Sequence, residues 1–132
     1  MKAELNKQQV SDIQKSLKNR IYELREEIRQ ELLKTEDEHF IDFAGRVHDL
    51  EDQSVADLLV DLNLARIDRQ ILEIRDIDAA IIRIAERNYG ICIDCDVPIP
   101  AKRLLAQPTA SRCLSCQELR EKTYANAGSP SL

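Results

Sequence analysis

The sequence of 132 residues has no tryptophan and few aromatic, glycine or proline residues. Aromatic residues make up 4% of it, all four prolines lie at or beyond Pro98, and Gly45 is the single glycine before residue 90. The longest unbroken apolar run covers only residues 79–82. These absences exclude a membrane span and a secretory signal, so we expect a soluble, cytoplasmic protein. Long charged helices have this composition, whereas a broad globular core does not.

The sequence also has fewer basic than acidic residues. Charged residues make up 33% of the chain, and the balance of 19 − 24 gives a net charge of −5. Proteins that read duplex DNA generally carry a basic face that contacts phosphates. We therefore expect no direct sequence-specific DNA binding.

Apolar residues at helical spacing fill the first third of the chain. Ser11 and Gln14 have the form of a capping box, which marks the start of a helix, and we predict this helix over about residues 11–44. Its apolar stripe advances in steps of three and four residues, which places it on one helix face; the stripe consists of Ile13, Leu17, Ile21, Leu24, Ile28 and Leu32.

A second helix is predicted after a break at residues 45–53. Ser54 and Asp57 offer another capping signature, and Gly90 stands where a C-terminal cap would end the helix. The apolar residues between them approach a heptad repeat; they are Val60, Leu64, Ile67, Ile71, Ile74, Ile77, Ile81 and Ile84. Neither helix can bury its stripe alone, so the predicted fold is all-α: a long antiparallel coiled-coil hairpin with its tip at about residues 45–53.

The four cysteines form two C-x2-C pairs, Cys92 with Cys95 and Cys113 with Cys116, separated by seventeen residues. This spacing is typical of a zinc site. Each pair, here called a knuckle, aims two sulfurs at one point, and two knuckles complete a tetrahedron around Zn²⁺. Disulfides or a redox pair are the alternatives, but a reducing compartment and two matched knuckles favour one structural zinc ion.

The finger ends in short helices. Residues 101–106 can form a helix behind Pro100, and a last helix is predicted over about 115–125, beginning at a capping box of Ser115 and Glu118. The predicted domains are a segment of residues 1–89 containing the hairpin, a finger of residues 90–125 and a flexible tail of residues 126–132.

The sequence shows no arrangement of residues that is typical of a catalytic site. His39 and His48 are the only histidines, and both fall near the predicted tip, with no cysteine nearby. No Ser–His–Asp arrangement follows from the periodicity. We expect a protein that is not an enzyme.

The finger residues 89–95, 106–110 and 113–116, together with the hairpin before them, resemble the DksA/TraR family of bacterial transcription factors. Members of that family bind RNA polymerase and insert the coiled-coil tip into its secondary channel, which alters the stability of promoter open complexes. We expect this protein to be a monomer that binds RNA polymerase. Larger members carry Asp-x-x-Asp-x-Ala at the tip. The matching residues here are Asp49, Asp52 and Ser54, so the resemblance implies a role for both acids and leaves that of Ser54 open.

The resemblance also implies a difference. Members that respond to guanosine tetraphosphate carry basic residues at positions that match Asp76, Gln107 and Gln117 here. None of these three side chains can pair with a phosphate as lysine or arginine does. We expect no binding site for the alarmone in this protein.

The sequence is also compatible with three other functions. A nucleic-acid-binding zinc ribbon would be basic and richer in aromatic residues. A coiled-coil adaptor with a purely structural finger would share every structural feature, and neutralising Asp49 and Asp52 would then have no effect. A thiol redox sensor would release zinc on mild oxidation.

Overall fold

The computed structural model describes residues 4–34, 37–51 and 68–128. Five helices lie in these ranges: α1 (Lys7–Leu33), α2 (Glu38–Ala44), α3 (Asp68–Ala85), α4 (Ala101–Ala106) and α5 (Leu114–Gly128). The described residues contain no β-strand beyond an isolated antiparallel bridge between Ile91 and Pro98. The prediction of an all-α protein is confirmed. No helix in these ranges has the length and apolar character that a membrane span requires.

The chain divides into two compact units. The first, here called the finger unit, combines Met1–Ile13 with Ile82–Leu132, and the second, the hairpin unit, is Gln14–Ile81.

Helix α1 begins four residues before the predicted capping box. The Asn6 side chain accepts a hydrogen bond from the Gln9 backbone N–H at 2.8 Å, and the Gln9 side chain accepts one from the Asn6 backbone N–H at 3.0 Å. This reciprocal pair satisfies two of the donors that a helix start leaves free. The predicted start at Ser11 was therefore wrong, because Asn6 and Gln9 cap the helix one turn earlier.

The single helix predicted over residues 11–44 is two helices in the structure. Helix α1 ends at Leu33, and α2 begins at Glu38. Asp37 is in an extended conformation, and its carboxylate accepts a hydrogen bond from the backbone N–H of His39 at 2.8 Å. A side-chain cap of this kind favours a new helix start over continuation of the previous helix.

Within the hairpin unit, α1 and α3 run antiparallel. The Arg20 guanidinium pairs with the Glu73 carboxylate, with 3.1 Å between Nη2 and Oε1. Seven residues further along α1, the Glu27 carboxylate accepts from the Gln70 amide at 3.2 Å. The contacting residue in α3 moves from 73 to 70 as that in α1 moves from 20 to 27, so the two helices run antiparallel. The described residues of the two predicted stripes are mostly buried, including Leu24, Ile28, Leu32, Ile74 and Ile77, all at most 2% exposed. Ile21, Ile81 and Ile84 are half-buried, and Val60, Leu64 and Ile67 lie outside the described residues.

Helix α3 ends earlier than predicted. Arg87 has a φ of 64°, its backbone N–H bonds to the Ile84 carbonyl at 3.1 Å, and the Asn88 N–H bonds to the Arg83 carbonyl at 3.0 Å. These two bonds form a Schellman cap in which Arg87 takes the left-handed position. Gly90, predicted as this cap, has a φ of 86° and leads instead into the first knuckle. The predicted start of this helix at Ser54 lies outside the described residues.

The two finger helices largely agree with the sequence. Helix α4 covers the predicted residues 101–106. Helix α5 begins at Leu114, so Ser115 lies inside it and is not its cap. It also extends to Gly128, three residues into the predicted tail, because Ala125 and Ala127 favour helix and glycine commonly ends one.

Candidate metal centre and acidic turn

The first knuckle is a tight loop closed by backbone hydrogen bonds. The Cys92 N–H donates to the Val97 carbonyl at 2.9 Å, and the Asp96 N–H donates to the Cys92 carbonyl at 3.0 Å. Asp96 has a φ of 61°, a left-handed conformation that aspartate tolerates better than most residues. The loop therefore turns back within a few residues and brings Cys92 and Cys95 together.

The second knuckle is built on the start of α5. Cys113 precedes the helix, Cys116 lies in its first turn, and the Gln117 N–H donates to the Cys113 carbonyl at 2.9 Å. Helix N-termini stabilise thiolates, because the helix dipole places partial positive charge there. The predicted position of Cys116 in a first helical turn is confirmed.

Two contacts join the knuckles. The Ile93 N–H donates to the Ser111 carbonyl at 2.9 Å, and the Arg112 guanidinium donates to the Asp94 carboxylate at 2.7 Å. Residues 93 and 94 lie between the first two cysteines, and residues 111 and 112 directly precede the third. The two loops are thus held together without any contribution from the sulfurs.

The four cysteine sulfurs lie within 4.8 Å of one another. The Sγ atoms of Cys95 and Cys113 are 3.8 Å apart. Zinc–sulfur bonds of about 2.3 Å in a regular tetrahedron place neighbouring sulfurs about 3.8 Å apart. The separation in this structure therefore fits four thiolates around one zinc ion.

The electrostatics also favour a cation at the centre. Burial raises the pKa of Cys92, but backbone N–H groups of Cys113, Cys95 and Asp94 outweigh it and lower that pKa to about 6. The neighbouring sulfurs, with Cys113 foremost, raise the pKa of Cys116 well above its usual range. Four thiolates this close repel one another, and a divalent cation bound between them removes that cost.

A small buried core supports the knuckles within the finger unit. Its members come from the turns and from α4, and each is at most 5% exposed: Tyr89, Cys92, Ile99, Leu104 and Ala110. The Arg103 guanidinium also donates to the Arg112 carbonyl at 3.0 Å, directly before Cys113. Few large apolar groups take part, so a metal ion would supply much of the unit's stability.

The predicted tip residues are only partly described. Asp49 lies in residues 45–51, here called the acidic turn, and its backbone N–H donates to the Arg46 carbonyl at 3.0 Å. Its carboxylate is exposed and makes no hydrogen bond or ion pair with the described residues. Asp52 and Ser54 lie outside the described residues.

Sequence reasoning missed how the acidic turn is held. The Arg25 guanidinium donates to the carbonyls of Val47 and Leu50, both at 2.6 Å. The His48 ring stacks on Tyr22 with 4.6 Å between ring centres, and its Nε2 lies 2.8 Å from a Glu26 carboxylate oxygen. The sequence signal was weak: Tyr22, Arg25 and Glu26 share a helix face, but charged residues beside an apolar stripe are ordinary.

A family model described as the prokaryotic dksA/traR C4-type zinc finger matches residues 87–122. This range includes both knuckles and the helix between them. With the sulfur geometry above, it identifies the group of four cysteines as a site for one structural zinc ion.

Similarity to known proteins extends beyond the finger. The chain is 32% identical over 121 residues to the RNA polymerase-binding transcription factor DksA of Buchnera aphidicola subsp. Acyrthosiphon pisum, a match that covers 89% of this chain and 77% of that protein. It is 28% identical over 124 residues to the protein of the same description from Escherichia coli K12, covering 92% and 79%.

A solved structure agrees with these relatives. Transcription factor DksA2 from Pseudomonas aeruginosa matches with a TM-score of 0.60 and 26% identity, covering 91% of this chain and 88% of that one. The similarity therefore includes α1 and α3 as well as the zinc finger. On this sequence and structural similarity, the chain belongs to the DksA/TraR family.

Proposed function

We propose that this protein binds bacterial RNA polymerase directly and regulates transcription initiation. The observation that carries the proposal is the extent of its similarity to relatives described as RNA polymerase-binding transcription factors. That similarity covers 89% of the chain, so it includes the helical pair as well as the zinc finger. A shared zinc finger alone would support only a common structural module.

The hairpin is the part that acts on the enzyme. It enters the secondary channel and brings the acidic turn towards the catalytic centre, where it alters the stability of open complexes. Asp49 supports this role because its exposed carboxylate is not used within the described residues. Such a group is free to interact with a cation or a hydrogen-bond donor of the polymerase. Asp52 and Ser54 complete the proposed set of acting residues.

The finger fixes how the hairpin meets the polymerase. In this proposal the metal ligands are Cys92, Cys95, Cys113 and Cys116, and the working parts are residues 1–89, 90–125 and 126–132. Zinc supplies folding stability, and four protein ligands leave no open position for a reacting water or substrate. The closed zinc site supports a regulator that is not an enzyme, and the proposal further takes the protein to be cytoplasmic and monomeric and to read no DNA sequence itself.

The protein acts without an alarmone site of its own. Asp76 and Gln107 are exposed, and the Gln117 amide donates to the Glu121 carboxylate at 3.0 Å. An acid and two amides offer no positive charge to a pyrophosphate group. An alarmone-binding assay on the polymerase complex tests this: a site gained with the protein and lost without it contradicts the proposal.

The main experiment measures the lifetime of open complexes on a ribosomal-RNA-type promoter. Bacterial RNA polymerase is used alone, with this protein, or with the Asp49→Asn/Asp52→Asn variant. Asp42→Asn is the matched control, because Asp42 is an exposed acid of α2 near the acidic turn, with its side chain 76% exposed.

We expect the protein to shorten the lifetime, the control to do the same, and the double variant to bind polymerase without this effect. Absence of both binding and effect for the unaltered protein contradicts the proposed function. Full activity of the double variant contradicts the role of the two acids.

A further inference from the structure

Arg25 stands out among the charged residues of the hairpin unit. It is 8% exposed, and no other charged side chain in the described ranges is buried to this degree. Taking a guanidinium out of water is costly unless its donors are satisfied. We therefore expect the buried Arg25 guanidinium to donate hydrogen bonds to specific acceptors.

The acceptors of Arg25 are backbone carbonyls of the acidic turn. One nitrogen, Nη1, donates to the carbonyl oxygens of both Val47 and Leu50 at 2.6 Å. These carbonyls are three residues apart and lie on either side of His48 and Asp49. One side chain of α1 thus fixes the backbone before and after the exposed acid.

The acidic turn is also attached to α1 through the side chain of His48. The His48 ring is stacked on Tyr22 and is hydrogen-bonded to Glu26. Glu26 is held in turn by Arg29, with 2.6 Å between the Arg29 Nη2 and the Glu26 Oε1. Residues 22, 25, 26 and 29 occupy one face of a helix. This face holds the acidic turn through backbone carbonyls and through one side chain.

The rest of the turn has little regular structure to hold it. Its backbone bonds are short-range, such as those from the N–H groups of Asp49 and Leu50 to the Arg46 carbonyl at 3.0 and 3.2 Å. Val47 alone packs fully inside, at 0% exposed. A turn of this kind would sample several conformations without outside attachment, and each would place the Asp49 carboxylate differently.

We infer that Arg25 is a positioning residue for Asp49: it fixes the acidic turn on α1 so that the exposed carboxylate is presented in one place. The expected effect on polymerase rests on the proposed function, whereas the attachment of the acidic turn to α1 does not. Pre-positioning keeps the carboxylate in one orientation, so that the bound tip presents it at a fixed point of the polymerase. Arg25 itself is buried against the turn and does not contact the polymerase.

The first test is amide hydrogen exchange on the zinc-loaded full chain. Arg25→Gln removes the guanidinium and leaves both carbonyls without their donor. We expect exchange at the Asp49 and Leu50 amides to rise by roughly tenfold, the effect of losing hydrogen bonds of this kind. Arg25→Lys keeps a charged donor and should give a smaller rise. Arg75→Gln, the same change at an exposed residue of α3, should leave these amides unchanged.

Protection of the α3 amides shows whether each variant is folded. If Arg25→Gln unfolds the hairpin unit, Arg25→Lys replaces it in the comparison. Unchanged exchange at Asp49 and Leu50 in a folded Arg25 variant overturns the inference.

The second test separates affinity from effect on polymerase. At saturating protein, Arg25→Gln should lose most of its effect on open-complex lifetime, as we expect for Asp49→Asn, while its affinity for polymerase changes little. A full effect for Arg25→Gln beside a lost effect for Asp49→Asn overturns the inference. If the unaltered protein has no effect at all, the proposed function fails, and the exchange experiment still decides whether Arg25 fixes the turn.

Discussion

The Tyr89 hydroxyl donates a hydrogen bond to the Pro108 carbonyl at 2.7 Å. This bond connects the residue that leads into the first knuckle with the loop that follows α4. Tyr89 is 5% exposed, and its burial raises its pKa to about 12 although Arg83 opposes the rise. This bond, like that from Arg103 to the Arg112 carbonyl, is thus a part-buried polar link of the finger unit in addition to its sulfur cluster.

Replacing Tyr89 with phenylalanine should destabilise the finger unit. The ring stays in place, but the half-buried Pro108 carbonyl loses its donor, which costs about 0.5–1.5 kcal/mol, the net contribution of a typical hydrogen bond. Urea or thermal unfolding of the zinc-loaded protein measures the change. Tyr124→Phe is the control, because Tyr124 is 60% exposed and its hydroxyl accepts a surface hydrogen bond from Arg120. Equal stability of the Tyr89→Phe variant and the unaltered protein would contradict the role of this bond.

The same substitution should change the response to alkali. The folded pKa of Tyr89 lies above the unfolded value of about 10. Stability from the protonated hydroxyl is therefore full below pH 10 and is lost as the pH rises from about 10 to about 12. The stability gap between the two proteins should narrow over that window, and tyrosinate absorbance should lose its highest-pH step in the variant.

The sequence predicted the buried parts of this fold well because apolar spacing reports burial directly. The stripe through Leu24, Ile28 and Leu32 and that through Ile74 and Ile77 are buried as expected. The cysteine spacing likewise predicted a cluster of four sulfurs, because two-residue loops leave few other arrangements.

Helix ends were predicted less well, since they depend on single polar contacts. Asn6 and Gln9 cap α1 in place of Ser11, and Arg87 caps α3 in place of Gly90. Asparagine and serine are both common helix caps, so the pattern alone does not choose between Asn6 and Ser11. The hydrogen bonds from Arg25 to Val47 and Leu50 join residues that are separated by 22 and 25 positions in the sequence. Local sequence patterns do not encode pairs at such distances.

Loss of zinc should unfold the finger unit. Structural zinc contributes about 10–16 kcal/mol in small fingers, far more than the apolar core around Tyr89 and Ile99 can replace. Cys116→Ser removes one proposed ligand, and Ser115→Ala, its exposed neighbour in the same knuckle, is the matched control. We expect one zinc per chain for the unaltered protein and for the control.

The Cys116→Ser variant should bind zinc weakly and lose amide protection over residues 89–113, whereas the amides of the hairpin unit stay protected. Metal content and hydrogen exchange measure the two effects. Full zinc occupancy with intact protection in Cys116→Ser would show that this sulfur is not a required ligand.

The antiparallel order of α1 and α3 can be tested through Arg20 and Glu73. Their side chains are 38% and 40% exposed, so water screens the pair and a coupling of about 0.2–1 kcal/mol is expected. Arg20→Glu places like charges together and should lower the unfolding midpoint. Arg20→Glu/Glu73→Arg should recover part of the loss, whereas Lys18→Glu, a reversal at an exposed site, should not be rescued by Glu73→Arg. No recovery in the double variant would argue against this pairing.

Glu26 should make the hairpin unit sensitive to acid. The Arg29 guanidinium, with help from His48 and Gln30, holds the pKa of Glu26 well below its usual range. A depressed folded pKa gives stability that is present above the unfolded value of about 4.3 and is lost as the pH falls below it. Glu26→Gln should therefore be less stable than the unaltered protein at neutral pH, and the two should converge in strong acid.

Stability against pH at constant ionic strength measures this convergence. Zinc is released in acid from both proteins, so the difference between them isolates Glu26. Glu51→Gln is the control, because Glu51 is exposed and has no hydrogen-bond partner within the described residues, and it should follow the unaltered protein throughout. A gap between Glu26→Gln and the unaltered protein that stays constant from neutral pH into strong acid would mean that the Glu26 charge does not stabilise the fold. The gap would then arise from packing or hydrogen bonds at this position whose strength does not depend on the charge of Glu26.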